Sequence, residues 1–92
     1  MDIYAQIAQR IIKQQENIIG PVAIEQADSV SGLKVDWTKH QVSVSGDGAK
    51  VIDRLVDQYK ILFGQISVEV SKEAAGNLVS QLPVGKMPKS LA

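Results

Sequence analysis

The stretch Gln65-Ile66-Ser67-Val68-Glu69-Val70-Ser71 decides the fold. Ile66, Val68 and Val70 alternate with Ser67, Glu69 and Ser71. A period of two, carried by β-branched residues, predicts a strand with one buried and one wet face. Before it, Gly64 is expected just past the end of a helix, the position glycine favours. That helix has the clearest pattern in the chain: Val51, Ile52, Leu55, Val56, Tyr59 and Leu62 recur at helical spacing, with Asp53, Arg54, Asp57, Gln58 and Lys60 outside. Lys50, Arg54 and Lys60 supply basic partners within reach of Asp53 and Asp57, so this face reads as solvated and laced with ion pairs. After the strand, Ser71 is expected to cap a short helix at Lys72-Glu73-Ala74-Ala75, with Leu78, Val79 and Leu82 as a packed continuation.

Further upstream, Leu33, Val35 and Trp37 alternate with Lys34 and Asp36, and Val42 and Val44 alternate with Gln41, Ser43 and Ser45. The link Thr38-Lys39-His40 makes an antiparallel hairpin of the two runs. Two helices precede it. Asp2 is a good N-cap, and Ile3, Ile7, Ala8, Ile11 and Ile12 share one helical face on a segment running to about Ile19. Gly20-Pro21 ends it, and Pro21 opens a second, short helix through about Ser29 with Ala23, Ala27 and Val30 as its apolar stripe.

The order is therefore α-α-β-β-α-β with a short C-terminal helix. The expected fold is a two-layer α+β domain over 1–82, its three-stranded sheet covered by helices on one face. If strands two and three are parallel, the helix between them makes a right-handed crossover. Leu33, Val35, Trp37, Val42, Val44, Ile66, Val68 and Val70 are expected on the covered face, and Lys34, Asp36, Ser43, Ser45, Ser67, Glu69 and Ser71 on the open one. Pro83, Gly85 and Pro88 make 83–92 a flexible, mildly basic tail, ordinary for a terminus though able to order on binding.

Composition excludes more than it asserts. The 92 residues include no cysteine, one histidine and ten acidic against ten basic residues. There can be no disulfide, no thiol nucleophile and no Cys-ligated or multi-His metal site. Balanced charge argues against strong phosphate binding, so nucleic acid is not the expected partner. No apolar run reaches the roughly 18–20 residues of a membrane span, and Met1-Asp2-Ile3-Tyr4-Ala5 lacks the basic region of a signal peptide. A cytoplasmic location without membrane attachment is expected.

The Val42-Ser43-Val44-Ser45-Gly46 strand end followed by a helix resembles BON domains, which are small lipid- or partner-binding modules. The strand–strand–helix–strand order also resembles one half of a KH domain. The KH clamp, however, has two residues between its glycines on a helix–helix loop, whereas Gly46 and Gly48 are one residue apart between strand and helix. Neither resemblance is taken as membership.

Among single residues, Ser45, Gly46, Asp47 and Gly48 form the best local candidate for a ligand. A Gly-rich loop entering a helix presents free N–H groups suited to phosphate or carboxylate, although Asp47 would repel an anion and a plain capped turn is the ordinary reading. His40 is expected at an exposed turn tip, near Asp36 and Thr38 but without a water-excluded pocket. Asp36 and Glu69 share the open sheet face in this arrangement, which would allow a carboxylate pair.

No set of groups converges as a catalytic site must. The expected function is thus a non-enzymatic interaction or assembly module that uses no cofactor or metal. It would self-associate, most simply as a dimer, through a sheet edge or the N-terminal helix. Tyr4, Ile18, Ile19, Ser43, Ser67 and Glu69 are the residues expected on that surface. A small ligand- or anion-binding domain using the Ser45–Gly48 loop is the alternative. Weak single-stranded nucleic-acid binding through Lys34, Lys39 and the tail is a further one.

Overall fold

Asp2 caps the first helix as its chemistry suggests: its carboxylate accepts from Ala5 N–H at 2.9 Å. The computed structural model describes residues 2–92; Met1, which the expected domain and leader readings include, lies outside the described residues. The fold is α+β and mostly helical. Helix α1 is Ile3–Ile19, α2 Val22–Asp28, α3 Gly48–Phe63 and α4 Gln65–Ala75; strands β1 and β2 are Leu33–Asp36 and Gln41–Val44. Short 3-10 turns follow at Trp37–Lys39, Gly76–Gln81 and Lys89–Leu91.

The hairpin has the expected pairing. Leu33 lies opposite Val44 and Val35 opposite Val42, so these four share the inner face, with Leu33 and Val42 buried. Lys34, Asp36, Gln41 and Ser43 are exposed on the outer face. Trp37, expected on the strand, belongs instead to the 3-10 turn, where its indole Nε1–H donates to Glu16 at 3.0 Å.

The third strand does not form. Gln65–Ala75 is helical, the sheet has two strands, and no crossover exists. The alternation of Ile66, Val68 and Val70 is misleading because the buried stripe is a different set: Ser67, Val68, Ser71 and Ala75, while Ile66 is 70 % exposed. Ser67, Ser71 and Ala75 recur every four residues, and their small side chains bring α4 close against α1. Ser71 does not cap a new helix, since it lies in the middle of this one. Ser67 and Ser71, expected on a wet sheet face, are the buried polar centre of the α1–α4 contact.

That contact includes a polar residue of α1. Gln15 is fully buried, and its Nε2–H donates to Ser67 O at 3.0 Å and to Ser71 Oγ at 3.3 Å. Ser71 Oγ–H in turn donates to Ser67 O at 2.8 Å. Among the described residues no buried side-chain nitrogen or oxygen lacks a partner, so the network satisfies the groups it buries.

Helices α3 and α4 are separated by Gly64 alone. Its φ of +82° is a left-handed value that side chains with a Cβ rarely adopt. Its N–H bonds back to Lys60 O at 2.8 Å, and its carbonyl accepts both Ser67 N–H and Ser67 Oγ–H. One residue thus closes α3 and opens α4, which folds α4 back beside α3.

Tyr59 anchors α3 against α2. The ring is fully buried, and its hydroxyl donates to Ala23 O at 2.6 Å. Tyr59→Phe is expected to cost about 1–2 kcal/mol in urea unfolding, because Ala23 O loses its buried partner. Burial also pushes the Tyr59 phenol well above its ordinary 10.0. The folded chain therefore keeps a proton that the unfolded chain releases near pH 10. The resulting stability is complete below that pH and is lost as pH rises above it. The phenylalanine variant should lack this part of the alkaline decline.

The segment 83–92, expected as a flexible tail, folds back at its end. Pro88 and Leu91 are buried, and Leu91 joins the core cluster beside α3 and α4.

Candidate functional site

In the Ser45–Gly48 loop, Ser45, Gly46 and Asp47 are exposed and Gly48 is buried. Asp47 caps α3, its carboxylate accepting Lys50 N–H at 3.3 Å, and Val51 N–H bonds to Asp47 O. A Cβ on Gly48 would fall on the ring of Tyr4, so Gly48 is small in order to seat that ring. The Tyr4 hydroxyl donates to Lys86 O at 2.8 Å. Burial, then the neighbouring Asp47 and Asp2 carboxylates, pushes the Tyr4 phenol above its usual value. The open depression beside it, about 610 Å³, is bordered by both carboxylates and by Lys86. An anion placed there would meet two negative groups and one positive.

The other expected residues separate. His40 is exposed and left-handed (φ 50°); its ring meets Trp37 edge-on at 5.0 Å, and its carbonyl accepts from Gln9. Thr38 Oγ1–H donates to Asp36 rather than toward the imidazole. Asp36 lies on β1 and Glu69 on α4, so no shared sheet face unites them. Glu69 instead lies 3.9 Å from Lys72, the one ion pair found among the described residues. The expected ion-pair ladder on α3 is replaced by other contacts. Arg54 donates to Ser31 O, and Asp53 takes the backbone N–H of Lys89 and Ser90 and the hydroxyl of Ser90. Among the described residues no three His, Cys, Asp or Glu side chains gather as a metal-holding group, and no helix is long and apolar enough to cross a membrane.

The expected interaction surface is divided. Ser67 is buried, Ile19 and Tyr4 are half-buried against the core, and Ser43 and Glu69 are exposed but on different elements. Ile18 is 56 % exposed. It has company that its own segment does not announce: Ile61, Leu62 and Ile66 are 71 %, 48 % and 70 % exposed. Leu62, expected in the core stripe of α3, is not buried; Phe63 packs against the core at this end of the helix instead. The Gln15–Ser67 bond brings the end of α1 level with the start of α4, and Gly64 joins that start to the end of α3. Ile18 thus lies near the end of α1, Ile61 and Leu62 near the end of α3, and Ile66 near the start of α4, helix ends that these links bring together. Sequence periodicity finds Ile18 but not the others, because their exposure depends on the corner.

Comparison with protein-family models, with curated proteins and with solved structures gives no match for the chain.

Proposed function

We propose that this protein is a non-enzymatic assembly module that pairs with a second copy of itself through the apolar end formed by Ile18, Ile61, Leu62 and Ile66. The exposure of these four large aliphatic residues, all within five positions of the α1, α3 and α4 ends that meet around Gly64, is the observation that carries the reading. Clustered exposed apolar residues mark partner surfaces. Zero net charge removes the long-range repulsion that would otherwise oppose association of identical chains. This end is favoured over the hairpin edge, whose strands are four residues long and carry Lys34 and Asp36, features that blunt edge pairing.

Full burial of such a side chain contributes about 1.5–3 kcal/mol, and association costs about 4–15 kcal/mol. The balance points to a dimer that forms in the micromolar to millimolar range. Sedimentation velocity across that range should show the mass rising with concentration. Ile18→Lys and Ile66→Lys, both at exposed positions, should each weaken pairing by about tenfold or more, by setting like charges against each other across a twofold contact. Circular dichroism should stay unchanged. A wild-type chain that stays monomeric at millimolar concentration would sink the proposal.

A further inference from the structure

The end of the chain's last segment is held in a groove between α3 and α4 as a bound peptide would be. Asp53, on α3, accepts Ser90 N–H at 2.9 Å, Ser90 Oγ–H at 2.7 Å and Lys89 N–H at 3.3 Å. A single carboxylate thus reads both the start of a tight turn and the hydroxyl within it. Pro88 and Leu91 flank this polar contact and are buried. Leu91 shares the core cluster with Val56 and Val68, and an open depression remains beside the seated segment, bordered by Lys89, Ser90, Arg54, Asp57, Lys60 and Lys72. Residues 83–87, which lead into it, are exposed; Val84 is wholly so, and the Tyr4 hydroxyl bond to Lys86 O is a long-range tie on them. A short segment with its own side-chain specificity, on an exposed connector, is the arrangement that exchanges between copies.

We propose that the α3–α4 groove is a receptor for a Pro-x-Ser-Leu turn, filled within one chain by Pro88–Leu91 and able to take the same segment from a second copy. The occupant is chosen by what already sits there. Asp53 requires two adjacent backbone N–H groups and a hydroxyl, and the apolar floor requires a proline before them and an aliphatic residue after. Ile18 and Ile66 take no part, so the inference does not rest on the apolar end.

The test uses the full chain, isotope-labelled, and a capped synthetic peptide with the sequence of residues 83–92. In wild type the internal segment competes for the groove, which lowers the apparent affinity for the peptide. Ser90→Ala with Leu91→Ala in the chain should vacate the groove. The peptide should then bind about tenfold tighter or more, with amide shifts at Asp53, Arg54, Val68 and Lys72. A peptide bearing the same two substitutions should bind at least about tenfold weaker. If the double variant does not fold, Ser90→Ala alone, which keeps Leu91 in the core, must show the same order against wild type. Ile18→Lys should bind the peptide as its parent does, whatever it does to dimerisation. Equal binding by wild type and variant, or by the two peptides, would overturn the proposal.

Discussion

Replacing Gln15 by glutamate is expected to cost about 3–5 kcal/mol of stability at about pH 7, the range seen when a buried charge is left uncompensated. The side chain is 1 % exposed, and its amide donates to Ser67 O and Ser71 Oγ. An ionised glutamate has the same shape but no donor. It would set a carboxylate against the Ser67 carbonyl oxygen at a position closed to bulk solvent. Burial favours the neutral acid, which can donate again. The folded variant therefore holds its proton to a higher pH than the unfolded chain does. Its penalty should be small below the unfolded carboxyl value of about 4.3 and should grow as pH rises through and above it. Urea unfolding at about pH 4 and about pH 7 measures this directly. An equal deficit at both pH values would mean that the site is not dry.

Ser71→Leu should have an effect of similar size for a different reason. Ser71 is wholly buried where α4 meets α1, and three added carbons have no space there. Overpacking and loss of the hydroxyl bonds together are expected to cost about 2–4 kcal/mol. Ile66→Ser removes more apolar surface on paper, but Ile66 is 70 % exposed, so its cost should stay within about 0.5 kcal/mol. A strand over these residues would reverse the order, since Ile66 would then be inside and Ser71 outside. Thermal melts of the two variants, compared side by side, decide between the arrangements.

This reversal explains what the sequence made legible. Where a segment carries its own boundary chemistry, the reading matches the structure. Asp2 caps α1, Gly20 and Gly64 close α1 and α3, and Pro21 precedes α2. The hairpin likewise carries its register in its own alternation. Gln65–Ala75 lacks such a signal. Its apolar residues alternate, but its burial is set by Gln15, which periodicity assigns to no apolar face and which lies 52 positions away. A serine–glutamine contact is invisible to any scale that looks for hydrophobic periods. The candidate site was legible to the same degree. Ile18 stands out on α1, whereas Ile61, Leu62 and Ile66 become a surface only through the turn at Gly64. The seat of Tyr4 on Gly48 and the grip of Asp53 on Ser90 are likewise agreements between distant segments.

The distance between Gln15 and Ser67 also has a consequence in time. A ribosome adds roughly 5–20 residues per second, so α4 is expected to follow the matching turn of α1 by roughly 3–10 s. A lone helix of 17 residues is marginal in water. During that interval the nascent chain presents Ile7, Ile11 and Ile12 without their covering helix. Core closure waits on α4, and α1 is the stretch a holdase chaperone would be expected to shield until α4 has been made.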